Sequence, residues 1–565
     1  MQERNGRKVG AGIDRSGVRD VGARPVYTIG IDFGTESGRV LLLEAATGEE
    51  LGTRVVGYER GVIDRVVPDT DEALPPDWAL QDPVDWVAVL EKGIPAVLVD
   101  TDIPPERVVG IGIDFTSCTV LPVTATGVPL CTLGAWRARR HAWPKLWKHH
   151  AAQHVADRLT AVALERGERF LSRYGGRISS EWYFPKLIEI WLEDREVYEA
   201  TGAFVEAADW IVWYLTGRGI RQSCAAGYKA MWSADDGLPS VEYFEAAFPG
   251  FNSPSDKLGT VFAPLGTRAG TVRAELAERL GLSSSVAVAV GNVDSFVSVA
   301  GAGVQSPATF VSVVGTSICD MVVHPDEVCM PGITGVVRDG ILPGLYGYEA
   351  GQAAVGDMLA WFVDTIAWRE RGYDELEAAA ASITPGSSGL VALDWWNGNR
   401  SILADADLPG VILGLTLHSS AEQIYRALLE SIAFGNRRII DNFEEHGIRL
   451  EEIVACGGIA VRSPLLMQLF ADTSGRTVRV PVSSEIPARG AALFGAVAAG
   501  VFGDIRDAIT ATRPPAGRSY VPNAETRATY ERLYQIYRRF YGLLGYTHAD
   551  LLHDLKQIRT VGVQS

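Results

Sequence analysis

The chain has 565 residues, which suffices for two large domains or three smaller ones. Hydrophobic residues make up 47% and charged residues 21%, so the composition is that of a globular protein with sizeable cores. The formal net charge of -17 argues against a nucleic-acid or anionic-membrane partner, because both require a basic surface.

The N-terminal segment is predicted to be a disordered extension. Residues 1–25 are rich in Gly, Arg and Asp, have no apolar core and show no signal peptide. The six cysteines of the chain include no C-x-x-C pair and no spacing typical of a metal cluster. They are predicted to be reduced thiols, which indicates a cytoplasmic protein.

Ordered structure is expected to begin with a β-hairpin. Two β-rich runs, Tyr27–Phe33 and Arg39–Leu43, flank a turn that contains glycine. Further along, Asp82 and Pro83 are typical of a helix start, with Asp as the N-cap and Pro in the first turn. Val108–Phe115 predicts a second buried strand.

The second half of the chain repeats the plan of the first. A largely helical stretch, Trp136–Trp232, leads to an apolar strand, Val286–Asp294, that ends in a carboxylate. Phe310–Val323 then predicts another strand, Gly-Thr turn and strand. Because strands alternate with long helices in both halves, the pattern predicts a duplicated α/β domain.

Later elements follow in an ordered series. They are an amphipathic helix (Ala421–Phe443), a strand (Glu452–Ala455), a Gly457-Gly458 loop, a helix from Ser463 to Gly475, a strand (Thr477–Val482) and an apolar helix (Ala491–Phe502). The last of these is too short to span a bilayer and is rich in Ala and Gly, so it is predicted to be a close-packed internal helix. After about Pro514 a helical, charged segment is expected to pack on the second domain.

A domain boundary is predicted in the Gly-, Pro- and Ser-rich stretch Gly301–Pro307. It gives a first domain of residues 26–303, a second of residues 304–548 and a C-terminal tail of residues 549–565. These limits are expectations from composition and from the repeated strand plan.

Two Gly-Thr turns, one in each half, are candidate phosphate sites. Glycine lets the backbone approach a phosphate, and turn N–H groups and the Thr hydroxyl can donate to its oxygens. Gly34 and Thr35 lie in the first turn, and Gly315 and Thr316 lie in the second. A single turn of this kind is most often only a turn, but two facing turns could hold a triphosphate from both sides.

Two carboxylates end predicted strands. Asp32 precedes the first turn, where it would repel phosphate unless a cation intervened, so Mg²⁺ is implied. Asp294 would face the crevice at the carboxyl end of an α/β sheet and could be a general base. The alternatives are a turn-capping Asp32 and a helix-capping Asp294.

Other motifs carry less information. The small residues Gly457 and Gly458 leave room for an adenine, although an ordinary strand-to-helix loop is the alternative. His149 and His150 lack a third ligand and are interpreted as surface or core residues. The sequence contains no P-loop, Rossmann glycine fingerprint, zincin or nucleophile-elbow motif.

Together, these segments resemble the FGGY carbohydrate kinases. The resemblance is carried by Ile29–Val40, Leu80–Trp86, Val290–Gly303, Val314–Asp320, Gly410–Glu430 and Ala455–Gly458. It implies two actin-like ATPase (ribonuclease H-like) domains with an interdomain catalytic cleft. By this resemblance Asp32, Gly34, Thr35, Gly315 and Thr316 bind phosphate and Mg²⁺, Gly457 and Gly458 bind adenosine, and Asp294 is the catalytic base.

Within the family, the chain is most similar to the ribulokinase branch. This similarity lies in Asp114–Thr119, Leu146–His149, Gly175–Trp182, Ser223–Trp232 and Gly347–Gly356. It implies ATP-dependent phosphorylation of L-ribulose in arabinose catabolism, with sugar contacts from Ser117, Lys229, Asp294 and Glu349. Without it, Lys229 would be interpreted as a solvated lysine and Glu349 as a turn residue.

Other functions remain open at this stage. The substrate could be D-ribulose or another ketopentose, or the chain could be a non-catalytic actin-like ATPase or a sugar-binding regulator. The expected partners are a small sugar and ATP, without nucleic acid or membrane, and a homodimer is a candidate assembly.

Overall fold

The computed structural model describes residues 24–252, 255–259, 261–367, 371–483 and 485–564, with side chains described as far as residue 558. Residues 1–23 of the predicted N-terminal extension lie outside the described residues.

The described strands are β1 (Tyr27–Phe33), β2 (Ser37–Glu44), β3 (Glu50–Gly57), β4 (Val108–Phe115), β5 (Val120–Val123), β6 (Ala203–Glu206), β7 (Arg221–Gln222), β8 (Phe262–Ala263), β9 (Arg268–Thr271), β10 (Ala287–Ala289), β11 (Asn292–Val293), β12 (Thr309–Val314), β13 (Ile318–His324), β14 (Gly335–Arg338), β15 (Tyr346–Gln352), β16 (Val391–Leu393), β17 (Val411–Leu413), β18 (Glu452–Cys456), β19 (Thr477–Val480) and β20 (Arg518–Tyr520).

The described α-helices are α1 (Pro83–Ala88), α2 (Ile94–Thr101), α3 (Gln153–Arg166), α4 (Tyr183–Glu193), α5 (Arg195–Ala200), α6 (Ala207–Thr216), α7 (Ser223–Lys229), α8 (Val241–Ala247), α9 (Ala274–Leu280), α10 (Asp294–Gly301), α11 (Gly356–Trp361), α12 (Tyr373–Ala381), α13 (Ala421–Glu445), α14 (Gly458–Arg462), α15 (Pro464–Ser474), α16 (Ile486–Ala498), α17 (Ile505–Ala511), α18 (Arg527–Gly542) and α19 (Ala549–Gln564).

Two sheets share one plan. The first has the order β3-β2-β1-β4-β10-β9, with β11 also paired to β4, and the second has the order β14-β15-β13-β12-β18-β19-β20. In each sheet an antiparallel hairpin, β1–β2 or β12–β13, adds a parallel strand, β4 or β18, beside its first strand. The predicted hairpins and the internal repeat are therefore confirmed.

Several predicted helix limits are confirmed because short-range signals set them. The Asp82 carboxylate accepts a hydrogen bond from the Val84 amide at the start of α1. The Ser463 side chain caps α15, which ends at Gly475 in the left-handed conformation. Capping satisfies amide and carbonyl groups that a helix leaves unpaired at its ends.

Three predicted elements differ from the structure. The strand predicted over Val286–Asp294 is divided into β10 and β11, because the Val290 amide donates to Thr267 instead of continuing the ladder. The strand predicted to reach Val482 ends at Val480, before Pro481, which has no amide hydrogen to donate. The segment after Pro514 contains strand β20, whose pairing with β19 had no local signal.

Helix α16 is the predicted close-packed internal helix, although it begins earlier, at Ile486, and ends earlier, at Ala498. It packs on β1 and β4 of the first sheet and also on α10. The contact depends on glycine: a Cβ at Gly112 would lie 1.7 Å from the Ala491 carbonyl oxygen.

We expect Gly112→Ala to destabilise the protein by at least about 1–3 kcal/mol, because overpacking forces the backbone of α16 away from the sheet. Urea unfolding measures this loss. Gly134→Ala is the matched control, since a Cβ there meets no atom within 4 Å. Equal stability of the two variants would contradict the close packing of α16.

Candidate active site

Two carboxylates lie side by side at one edge of the first sheet. Asp32 and Asp114 are the penultimate residues of β1 and β4, and the two are partners in the parallel register. The side chain of Asp114 is fully buried, and neither of its oxygens has a hydrogen-bond partner among the described residues. The Arg39 guanidinium lies 3.3 Å from the Asp32 carboxylate.

The pKa of each carboxyl reflects this burial. Burial raises the pKa of Asp114 well above its ordinary value, and the charge of Asp32 raises it further. Burial also raises the pKa of Asp32, which Arg39 opposes. Two adjacent buried carboxylates fit a divalent cation, because Mg²⁺ is bound in proteins by one or two carboxylates together with substrate phosphates.

Sequence reasoning assigned Asp32 to the metal and missed Asp114. A signal was present, because the pentapeptide IGIDF occurs twice, at Ile29–Phe33 and at Ile111–Phe115. Identical buried strands that pair in register place their carboxylates together.

Asp294 is the first residue of α10 and follows β11, which pairs with β4. It is therefore neither the end of a strand, as predicted, nor the N-cap, which is Val293. One of its oxygens accepts a hydrogen bond from the Ser295 amide at 2.6 Å. Burial, followed by the charge of Asp32, raises the pKa of Asp294 to about 7. A carboxyl with this pKa can take up and release a proton near neutral pH.

Each Gly-Thr turn is closed by a hydrogen bond from its glycine amide, and the first turn is one residue longer than the second. The Gly34 amide donates to the Ser37 carbonyl at 3.0 Å, and the Gly315 amide donates to the Ser317 carbonyl at 2.9 Å. Neither threonine is buried, so both turns can present amide and hydroxyl groups to a ligand.

The first turn is held by side chains from two other segments. The Trp147 indole N–H donates to the Thr35 hydroxyl oxygen at 3.1 Å, and the Gln81 amide donates to the Thr35 carbonyl at 2.8 Å. Since the indole can only donate, the Thr35 hydroxyl hydrogen stays available for an acceptor. Trp147 was not predicted as a site residue, although its segment contributed to the resemblance.

The two halves of the chain meet at a buried ion pair. Lys229 ends α7 and Glu349 lies on β15, and their side chains approach to 2.7 Å with only 6% and 9% of their areas exposed. The alternative of a solvated lysine and a turn glutamate is therefore wrong. The Glu349 carboxylate raises the pKa of Lys229 against the effect of burial.

Further polar groups surround this pair. Ser117 precedes Cys118, which has a positive φ of 59°, and the Lys186 ammonium donates to the Cys118 carbonyl at 2.6 Å. Arg400 approaches Glu181 to 3.8 Å. Burial favours the neutral form of Glu181, but Arg400 holds the pKa of that carboxyl below its ordinary value. Arg400 was missed because no local motif marks it.

The Gly457-Gly458 segment adjoins the second turn. Gly457 has a φ of 93°, and a Cβ on it would lie 2.6 Å from the Val314 carbonyl oxygen, one residue before Gly315. Gly458 begins α14, and a Cβ there would meet no atom within 4 Å. Glycine is thus required by conformation at 457, whereas 458 leaves open space.

The remaining candidates have structural roles or none visible. The His149 ring is buried and lies 2.9 Å from Glu189.

Within the described ranges, no group of three or more His, Cys, Asp and Glu side chains is arranged to hold a metal ion. The six cysteines are unpaired. No helix among the described residues is long and apolar enough to cross a membrane.

Comparison with known proteins identifies matches along most of the chain. The FGGY family of carbohydrate kinases, N-terminal domain, matches residues 27–301, and its C-terminal domain matches residues 310–499. A ribulokinase of Anoxybacillus flavithermus is 47% identical over 545 residues, which cover 94% of this chain and 96% of that one. A ribulokinase of Mycolicibacterium smegmatis is 43% identical over 551 residues, which cover 95% and 97%.

Solved structures share the fold at lower identity. A xylulose kinase from Rhodospirillum rubrum superimposes with a TM-score of 0.76 at 23% identity, covering 93% of this chain and all 100% of that one. A gluconate kinase from Lactobacillus acidophilus has a TM-score of 0.76 at 18% identity, covering 94% and 100%.

Proposed function

The chain belongs to the FGGY family of carbohydrate kinases, and on that premise we propose that it phosphorylates the terminal 5-hydroxyl of L-ribulose, in L-arabinose catabolism. It is an enzyme that transfers a phosphoryl group from ATP to an alcohol group of a sugar. The predicted fold, two actin-like ATPase domains, is confirmed. The observation that carries the substrate proposal is full-length similarity to ribulokinases, together with the buried Lys229–Glu349 pair.

In this proposal the sugar binds beside Ser117 and the Lys229–Glu349 pair. A ketopentose is uncharged and carries one carbonyl and several hydroxyls. The Lys229 ammonium can donate to these oxygens, and the Glu349 carboxylate can accept from hydroxyls. Because the two side chains come from different halves of the chain, a sugar that contacts both would be oriented with one end toward Asp294.

Asp294 acts as general base on the sugar hydroxyl. As the hydroxyl proton passes to the carboxylate, the oxygen forms a bond to the γ-phosphorus of ATP. The bond from that phosphorus to the β–γ bridging oxygen breaks, and ADP leaves with the electron pair. Phosphoryl transfer needs little other covalent help, so positioning and charge stabilisation provide most of the catalysis.

The phosphates lie between the two turns, with donors from Gly34, Thr35, Gly315 and Thr316, and the adenosine lies beside Gly457 and Gly458. Asp32, next to the unpartnered Asp114, would hold Mg²⁺. A Mg²⁺ ion held there would supply positive charge that offsets the negative charge of the phosphates. Such a local charge would compensate for the net charge of -17, which repels ATP.

The test of the substrate is kcat/KM for L-ribulose, D-ribulose, both xyluloses, glycerol and gluconate, measured by coupled ADP release. We expect L-ribulose to be preferred. D-ribulose is the second candidate, because it differs only in stereochemistry and the described sugar contacts are few. A preference for xylulose, glycerol or gluconate would contradict the substrate proposal. ADP release that no sugar stimulates would favour a non-catalytic ATPase or a sugar-binding regulator.

Glu349→Ala is expected to raise the KM for the sugar far more than the KM for ATP. The substitution leaves both a sugar hydroxyl and the buried Lys229 ammonium unpaired, and lost hydrogen bonds to charged groups cost about 1.5–3 kcal/mol each. Glu327→Ala is the control, because Glu327 pairs with Arg173 in a more exposed position. Equal shifts of the two Michaelis constants in Glu349→Ala would contradict a sugar contact.

Thr35→Val and Thr316→Val are each expected to weaken ATP use by about 1.5–3 kcal/mol in kcat/KM, because each removes one hydroxyl donor to phosphate. Steady-state kinetics with ATP varied at saturating sugar measures this loss. Thr53→Val is the control, because Thr53 lies on β3, in the same sheet as the first turn but away from it. If one threonine variant matched the control, its turn would not be a phosphate site.

A cytoplasmic location and a homodimeric assembly complete the proposal. The location rests on the reduced cysteines expected from the sequence, and sedimentation tests the assembly.

A further inference from the structure

Lys148 lies on the segment 145–149, which buried polar contacts hold in place. Its neighbours Lys145 and His149 both contact the buried Glu189 carboxylate, at 2.7 and 2.9 Å. The Lys186 ammonium donates to the Leu146 carbonyl at 2.8 Å. The backbone that carries Lys148 is therefore fixed, whereas its own side chain is only half-buried.

This segment contacts the first Gly-Thr turn, and its Lys148 interacts electrostatically with a residue beside the second turn. Trp147, the residue before Lys148, contacts the Thr35 hydroxyl of the first turn. Asp357 adjoins the second turn, because its amide donates to the Thr316 carbonyl at 3.4 Å. Burial raises the pKa of Asp357, and the Lys148 ammonium opposes the rise, so the two groups are within electrostatic reach.

The Lys148 ammonium has no direct partner among the described residues, although it influences Asp357 from a distance. Within the described residues, no hydrogen bond or ion pair engages its ammonium. The other cation at the first turn, Arg39, is occupied by Asp32 at 3.3 Å and by Glu485 at 3.4 Å. The turns themselves offer only neutral amide and hydroxyl donors, yet phosphoryl transfer places negative charge on the γ-phosphate oxygens.

We propose that Lys148 binds the γ-phosphate of ATP and neutralises its charge during transfer to the sugar. The inference rests on the proposed kinase function and adds a residue to it. A lysine ammonium is a compact charge with three donors on a flexible stem, so it can follow a phosphoryl group as it moves between two oxygens. The competing interpretation is a latch in which Lys148 pairs with Asp357 to hold the cleft closed.

The test is calorimetric titration with two probes, the Mg²⁺ complex of the non-hydrolysable ATP analogue AMP-PNP and that of ADP. In Lys148→Met we expect affinity for AMP-PNP to fall roughly 10- to 100-fold, the range of a hydrogen bond to a charged group. Affinity for ADP, which lacks the γ-phosphate, should change less than about 3-fold. Lys148→Arg keeps the charge and should recover most of the loss, which also guards against misfolding of the methionine variant.

Two control variants separate the interpretations. Lys92→Met removes one exposed positive charge elsewhere on the first domain and should leave both affinities unchanged. Asp357→Asn should also retain AMP-PNP affinity, whereas a latch predicts the same loss as in Lys148→Met. Equal losses for AMP-PNP and ADP, or no loss for either, would overturn the proposal. The unmodified protein, purified in parallel, is assayed for sugar phosphorylation. If it is active, either contradicting outcome concerns the role of Lys148 and not the kinase function.

Discussion

Asp294→Asn is expected to lower kcat by about 10²–10⁴-fold while leaving nucleotide binding nearly unchanged. The amide keeps the shape of the carboxylate and its acceptor oxygen for the Ser295 amide, but it cannot take the hydroxyl proton. A coupled ADP-release assay measures kcat, and calorimetric titration with Mg²⁺-ADP measures nucleotide affinity. Asp326→Asn, an exposed carboxylate of the second domain, is the matched control.

The pH dependence provides an independent check on Asp294. A base works only when deprotonated, and burial raises the pKa of this carboxyl to about 7. The value of kcat/KM for the sugar should therefore rise with pH through about 7 and fall as the carboxyl is protonated below it. In Asp294→Asn this acid limb, the decrease of kcat/KM below pH about 7, should disappear. A variant with near-normal kcat, or with an unchanged acid limb, would contradict the assignment of the base.

Glu189→Ala is expected to destabilise the protein by about 3–5 kcal/mol, the range for breaking a buried ion pair. Glu189 is fully buried and accepts from Lys145 at 2.7 Å, and the Lys145 side chain is 1% exposed. Burial alone would raise the pKa of Glu189, but the Lys145 ammonium holds it below the ordinary range. Without Glu189, that ammonium would be left uncompensated in the core.

Urea unfolding of matched variants separates pairing from packing at this site. Glu193→Ala removes a more exposed carboxylate that contacts His141 at 3.1 Å and should cost under about 1 kcal/mol. The double variant Glu189→Leu with Lys145→Met replaces both charges with apolar groups and should be clearly more stable than Glu189→Ala. If the double variant were the less stable, the loss would come from packing and not from an unpaired charge.

Much of the fold was predictable because its signals are local. The hairpin β1–β2 depends on two β-rich apolar runs around a Gly-containing turn, and the same pattern recurs at β12–β13. Helix α13 follows a regular apolar periodicity, and α15 is delimited by a serine cap and a glycine. The limits of β10, β11 and β20 depend on hydrogen bonds to distant strands, so the local sequence pattern was insufficient to predict them.

The candidate site shows the same division. The sequence by itself determined that Gly34, Thr35, Gly315 and Thr316 lie in two hairpin turns, since each turn is specified within a few residues of its own strand. Only the tertiary structure decided that Lys229 pairs with Glu349, 120 residues away, and that Trp147 contacts Thr35, 112 residues away. Such contacts arise from the packing of whole sheets and helices, because the energy of a buried charge or hydrogen bond depends on which distant group is placed opposite it.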